Sequence, residues 1–179
     1  MTDDAEAEQS HISDEMRSLA GRELSKRVSY PVAESDIRRW ALAVYYPEAP
    51  PAEFIDAEVA AKSRYGEIVA PEDFNPFAWA IAKSEGVELG AEQATNPDLF
   101  ETSLGATGPG LRNLLNGGIE VEYGVPMRPG DVITAVTTLD GYKERQGSLG
   151  LMLFTMMRTV WTNHDGEMVK VVGGTTIRY

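Results

Sequence analysis

The chain contains no cysteine and only two histidines, and these shortages narrow the chemistry that it can perform. Without cysteine there is no disulfide, no thiolate nucleophile and no cysteine-based metal site. His11 lies close to the amino terminus and His164 lies far along the chain. Because zinc sites in proteins need clustered histidine or cysteine ligands, we predict no metal site.

Positive charge is also scarce. Lysine and arginine number 16 against 28 aspartate and glutamate residues, which gives a formal net charge of −12. Binding to nucleic acid needs clustered cationic side chains that contact phosphates. The closest cationic pairs here are Lys26-Arg27 and Arg38-Arg39. We therefore predict no nucleic-acid partner, although a local basic pocket can still bind a phosphorylated small molecule.

Long hydrophobic runs are missing. The apolar run at residues 149–157 ends at Arg158, well short of the roughly 20 residues that cross a bilayer. The first ten residues are acidic, whereas a signal peptide begins with basic and then apolar residues. We predict a cytoplasmic protein without membrane attachment.

Two regions are expected. Residues 1–13 are polar and acidic without periodicity, and we predict a flexible tail there. Residues 14–179 are long enough to form a single domain with its own core. Within it, helices are predicted at residues 13–20, 35–46 and 53–63. A longer central helix is predicted from Asp73 to Gly86, because Phe74, Phe77 and Ile81 recur at helical spacing.

The second half of the chain has the alternating pattern of β-strands. Strands are predicted at residues 118–125, 132–144, 149–162 and 168–179, with an earlier short strand at 27–32. Residues 149–162 are apolar on both faces, which predicts a strand in the middle of the sheet, covered on both sides. The expected fold is α+β: an antiparallel sheet of about five strands wrapped around a long central helix. Because one helix covers one face only, we expect a partner to cover the other.

Several short motifs follow one another in a distinctive order. They are Tyr30-Pro31-Val32 before Asp36-Ile37-Arg38-Arg39-Trp40-Ala41, Tyr65-Gly66 before Ala70-Pro71 and Phe74, Gly117-Gly118-Ile119-Glu120-Val121-Glu122-Tyr123, Pro129-Gly130-Asp131, and Trp161-Thr162-Asn163 before Asp165-Gly166-Glu167. In this order the chain resembles the MaoC-like hydratase and dehydratase family, and within it the FAS1-like dehydratase, or MaoC N-terminal, domain. The resemblance implies a hot-dog fold. Glu72 departs from the family pattern, which usually has a second proline there.

The resemblance also implies where in the sequence catalytic residues are expected. Active hydratases of the wider family carry an Asp and a His five residues apart, just after the first helix, and the pair activates water for addition to an enoyl thioester. The corresponding residues 44–51 contain no histidine, so we predict no catalytic residue in this chain. The resemblance then implies the non-catalytic, acyl-chain-accommodating half of an enoyl-CoA hydratase or dehydratase, paired with a MaoC-like subunit that bears the Asp/His dyad.

On this reading the ligand is an acyl-CoA or an acyl-carrier thioester, with coenzyme A as part of the substrate and no other cofactor. The acyl group stays open among short-chain, fatty, aromatic and steroid thioesters. Substrate-binding candidates near the start of the predicted central helix are Tyr46, Phe74, Asn75 and Trp79, and Arg112 or Arg128 is the candidate for the coenzyme A phosphates.

Three alternatives stay open. The chain can be a homodimer that binds acyl-CoA, or is purely architectural, and catalyses nothing. It can be an acyl-CoA thioesterase, in which Asp73 or Glu72 supplies the carboxylate that other hot-dog thioesterases use. Phe74 and Trp79 can also be ordinary core residues. Glu48, Glu53 and Asp56 are further carboxylates near the loop where the family places its chemistry.

Overall fold

One antiparallel sheet forms the frame of the molecule, as seen in a computed structural model that describes residues 10–78, 83–86 and 95–179. Within these residues the sheet has six strands in the order β2-β1-β4-β5-β6-β3. The strands are β1 Glu23–Val28, β2 Lys83–Gly86, β3 Leu114–Tyr123, β4 Thr134–Gly147, β5 Gly150–Thr162 and β6 Met168–Arg178.

The alternating pattern located four of these strands correctly. β4, β5 and β6 follow one another as antiparallel neighbours, and β3 pairs with the far side of β6. The central position predicted for β5 is confirmed. β1 begins at Glu23, earlier than predicted, and the motif around Pro31 follows the strand, since proline has no backbone N–H to donate to a ladder.

Short helices surround the sheet. They are α1 Asp14–Arg17, α2 Glu34–Val44, a 3₁₀ turn at Ala52–Phe54, α3 Ala57–Ala60 and α4 Leu99–Ser103. Ser13 caps α1, because its side chain accepts a hydrogen bond from the Met16 N–H. Asp56 caps α3 in the same way. α3 covers only four of the residues 53–63 that were predicted to be helical. No helix in the described part of the chain is long and apolar enough to cross a membrane.

The central helix predicted from Asp73 to Gly86 is wrong in its described residues. Residues 76–78 form turns, and Lys83–Gly86 is strand β2, which pairs with β1. Ile81 lies outside the described residues. Phe74 and Phe77 are buried as predicted, so the apolar spacing identified core positions but not their secondary structure. The longest helix in the described residues is instead α2, which buries Ile37 and Ala41.

The core lies on one face of the sheet in two groups. Ala135 belongs to one group and Leu139 to the other, and both project from the same face of β4 because they are four residues apart. The first group joins this face to α2 and to residues 68–77, whereas the second joins it to Leu19, just after α1, and to α4. On the opposite face of β5, Met152, Phe154 and Met156 are only half-buried.

The last residues of the predicted tail contact the sheet. The Ser10 hydroxyl and the His11 backbone N–H both donate hydrogen bonds to the Glu144 carboxylate. The His11 ring nitrogen Nε2 lies 3.0 Å from the Leu151 carbonyl oxygen. Residues 10 and 11 are therefore attached to the β4–β5 hairpin, and the rest of the predicted tail lies outside the described residues.

A buried ion pair attaches α4 to the sheet. Arg178 of β6 is 1% exposed and Glu101 of α4 is 0% exposed. The Arg178 guanidinium donates to both Glu101 carboxylate oxygens, at 2.7 and 3.0 Å, and also to Asp98 and the Thr155 hydroxyl. Such a pair offsets its desolvation cost only while both partners are present.

We therefore expect Arg178→Met to lower the free energy of unfolding by about 3–5 kcal/mol, because it leaves the Glu101 carboxylate buried without its partner. Urea unfolding followed by circular dichroism measures the change. The matched control is Arg17→Met, which removes a solvent-exposed pair with Asp14 and should change stability far less. Equal effects of the two substitutions would contradict this account.

Candidate functional site

A cavity of about 640 Å³ opens beside the end of β3. This volume lies within the range of roughly 300–1,000 Å³ that is typical of small-molecule sites. Its lining residues come from the end of α2, the 3₁₀ turn, residues 64–73, residues 123–127 and β6. They are Val44, Tyr45, Glu53, Phe54, Arg64, Tyr65, Val69, Ala70, Pro71, Glu72, Asp73, Tyr123, Gly124, Val125, Pro126, Met127 and Val169.

One wall is positioned by a row of side chains that crosses three strands. Tyr123 of β3 lies opposite Lys170 of β6, which lies opposite Trp161 of β5. Directly opposite residues project from the same face of a sheet. Residues 71–78 lie over this row: the Tyr123 hydroxyl donates a hydrogen bond of 2.5 Å to Asp73, and the Phe77 ring contacts Trp161 edge-on at 5.0 Å. The cavity wall therefore depends on contacts between distant parts of the sequence.

The ionisable groups of this row have shifted pKa values. The hydrogen bond to Asp73, together with burial, raises the pKa of Tyr123 to about 12. Lys170 is 7% exposed, and its ammonium lies 4.1 Å from the centre of the Trp161 ring. Burial lowers the pKa of Lys170, while the Asp73 carboxylate opposes that change. Shifts of this kind are common at functional sites, although structural ion pairs also cause them.

A second wall comes from the loop that follows α2. Tyr45 and Phe54 contact each other with their ring centres 6.2 Å apart, and Glu53 also lines the cavity. Residues 44–51, where the resemblance places the catalytic pair, thus border the cavity through Val44 and Tyr45. In the described residues no three histidine, aspartate or glutamate side chains lie close enough to hold a metal ion.

None of the predicted substrate-binding residues in the described part of the chain lines this cavity. Tyr46 is 81% exposed and Arg112 is exposed, and neither lines the cavity. Phe74 is a core residue that contacts the Trp40 ring. The Asn75 side chain accepts a hydrogen bond from the Phe77 N–H within its own turn. Trp79 lies outside the described residues.

Among the other candidates, Asp73, Glu72 and Glu53 do line the cavity. Arg128 follows the lining residue Met127 and forms an ion pair with Glu67. Sequence reasoning missed Tyr123 and Arg64. Tyr123 was part of a recognised motif, but nothing in the sequence brings it to Asp73, which is 50 residues earlier.

His164 does not line the cavity. It lies in the turn between β5 and β6, where its Nδ1 is 3.3 Å from the Asp131 carboxylate. Asp131 accepts a hydrogen bond of 2.7 Å from the Arg128 N–H, which stabilises the turn at Pro129-Gly130. This aspartate–histidine contact therefore joins two turns.

The sheet, the buried face and the cavity at its end define a hot-dog protein of the MaoC-like class. Residues 18–172 match the sequence profile described as "FAS1-like, dehydratase domain region", and the chain belongs to this family. The hot-dog fold predicted from the sequence is confirmed. No curated protein matches the sequence.

Solved structures with the same fold include hydratases and dehydratases. A chain of the ChsH1–ChsH2 complex from Mycobacterium tuberculosis matches with a TM-score of 0.63 and 18% identity, covering 92% of this chain and 91% of that one. A MaoC-like dehydratase from Rhodospirillum rubrum matches at 0.55 and 19%, covering 89% and 92%. A chain of the 3R-hydroxyacyl-ACP dehydratase complex HadBC from Mycobacterium tuberculosis matches at 0.54 and 21%, covering 87% and 96%. At these identities the likeness shows the fold.

The Tyr123–Asp73 hydrogen bond predicts an alkaline effect on stability. The folded state holds the Tyr123 proton more tightly than the unfolded chain does. The contribution of this hydrogen bond to the free energy of unfolding is therefore complete below pH 10 and is lost as the pH rises towards 12. Tyrosinate absorbance, measured as the difference between the native protein and Tyr123→Phe, should show this titration near pH 12. In Asp73→Asn it should move towards 10; an unmoved titration would contradict the assignment.

Proposed function

We propose that this chain is the subunit without the catalytic dyad in an enoyl-thioester hydratase or dehydratase, and that its cavity accommodates the acyl chain. The observation that carries the proposal is the composition of the cavity. The loop at which the family places its aspartate and histidine borders the cavity, yet the chain's two histidines are His11 and His164, and neither is a lining residue.

The chemistry explains why this absence matters. Adding water to an enoyl thioester requires a base that takes a proton from the water and an acid that protonates the carbon next to the thioester carbonyl. Such groups work best when their pKa values lie near the working pH, as that of histidine does. Tyr123, with its pKa raised to about 12, stays protonated at neutral pH and is poorly suited to act as the base.

The free edge of the sheet supports a partner subunit. Among the described residues β3 pairs with β6 alone and stands at the end of the sheet, and all ten of its residues are exposed. Ile119 is 65% exposed, Leu115 44% and Val121 42%. A long apolar edge with unpaired backbone groups is a ready template for pairing with another chain. We propose that β3 pairs with the corresponding strand of a dyad-bearing subunit, or of a second copy when that subunit is absent.

The activity test uses the purified chain with enoyl-CoA substrates of short, long and polycyclic acyl groups, following loss of the conjugated thioester absorbance. We expect no turnover by the chain alone, and hydration once a dyad-bearing partner is added. Turnover by the chain alone would overturn the assignment, and so would a cavity that binds no acyl thioester.

The interface test uses Ile119→Lys, which places a charge on the exposed edge. We expect it to weaken subunit association at least about tenfold, because a buried unpaired charge is costly at an interface. Analytical ultracentrifugation measures the association. The matched control is Leu149→Lys in the β4–β5 turn, also more than half exposed. If both variants associate like the native chain, β3 is not the interface.

Thioester hydrolysis is a second candidate, and the position of Asp73 favours it. Hot-dog thioesterases use a carboxylate, and Asp73 and Glu72 both line the cavity. Release of free thiol from acyl-CoA, lost in Asp73→Asn and kept in Glu34→Gln, would establish this reaction. No thiol release by the native chain would exclude it.

A further inference from the structure

Carboxylates dominate the charge of the cavity. Of the described residues that line it, Glu53, Glu72 and Asp73 carry carboxylates, whereas Arg64 alone carries a cationic group. The three acidic residues come from two separate segments, the 3₁₀ turn and the stretch before Phe74. The salt bridges of the described residues include none of these three carboxylates. Their negative charge is therefore not cancelled by a direct ion pair within the described part of the chain.

The cations near the cavity are engaged with other groups. The Arg64 guanidinium donates to the Tyr65 hydroxyl and lies 4.6 Å from the centre of that ring. Arg128 is paired with Glu67. Lys170 is buried against Trp161 and is not a lining residue. A ligand that brought its own negative charge into this cavity would meet three carboxylates and a single cation, Arg64, so that repulsion between like charges would outweigh attraction.

The remaining lining is apolar or aromatic. Val44, Val69, Val125, Met127 and Val169 supply aliphatic surface. Asp73 adds a hydrogen-bond acceptor: its Oδ1 accepts from Tyr123, and no described residue donates to its Oδ2. The wall thus offers hydrocarbon contact together with acceptors for a donor group, which is the pattern expected of a site that orients an uncharged ligand through a few polar contacts.

From this lining we propose that the cavity selects acyl groups that carry no negative charge, and that it favours an acyl group with a hydroxyl over the same acyl group with a carboxylate. The inference rests on the proposed function, since it assumes that the acyl part of a thioester enters this cavity. It concerns which acyl groups enter, and it holds for a catalytic and a non-catalytic subunit alike.

Three thioesters of equal chain length make the test: decanoyl-CoA, its terminally hydroxylated analogue and its terminally carboxylated analogue. All three carry the same coenzyme A group, so differences in affinity report on the acyl end. Isothermal titration calorimetry on the full chain should give comparable or tighter binding for the hydroxylated ligand than for decanoyl-CoA. The carboxylated ligand should bind at least about tenfold more weakly than the hydroxylated one, and the difference should shrink in high salt.

Substitutions test whether the cavity carboxylates cause the preference for the hydroxylated over the carboxylated ligand. Glu72→Gln and Glu53→Gln should each reduce the preference for the hydroxylated ligand severalfold, and two sites are used so that poor folding of one leaves the other informative. The control Glu34→Gln removes one negative charge from α2, away from the lining, and should leave the preference unchanged. Equal binding of the hydroxylated and carboxylated ligands overturns this inference alone. Failure of all three thioesters to bind overturns the proposed function with it.

Discussion

The contact between residues 71–78 and one row of the sheet is the constraint on which the site depends. Tyr123, Lys170 and Trp161 lie side by side on β3, β6 and β5, and Asp73 and Phe77 hold the overlying segment to the two ends of that row. The hydrogen bond is charge-assisted and therefore stronger than one between neutral groups. Together with the buried Phe74, these two contacts fix the position of Asp73 and the shape of the cavity wall.

The same row explains why the wall that carries Asp73 is acidic. Lys170 lies near enough for the Asp73 carboxylate to act on its pKa, but its ammonium lies over the Trp161 ring and forms no direct ion pair with Asp73. Tyr123 takes the partnership with Asp73 instead, and a phenol brings no positive charge. The site thus keeps a fixed acceptor and a net negative wall, which are properties suited to orienting a neutral ligand rather than to binding an anion.

The sequence predicted the strands well but not the residues that line the cavity, for physical reasons. Alternation along β3 to β6 is a local signal, and it located each strand to within a few residues. Apolar spacing at Phe74 and Phe77 also identified buried positions, but short apolar runs do not distinguish a helix from a buried turn or strand. Strand pairing with β1 decided the conformation of Lys83–Gly86. The cavity was missed because the sequence gives no register between β3 and the segment that carries Asp73.

The open cavity makes the absence of a histidine from residues 44–51 relevant to function. A hot-dog chain without the dyad could have filled its cavity with side chains and become purely architectural. Here about 640 Å³ remain open beside the very loop that would carry the dyad, while Tyr46, the most exposed aromatic residue of that loop, lies outside the lining. An open cavity with ordered polar contacts costs buried apolar area that the core could otherwise use. Retaining such space is consistent with a role in holding a ligand for chemistry that another subunit performs.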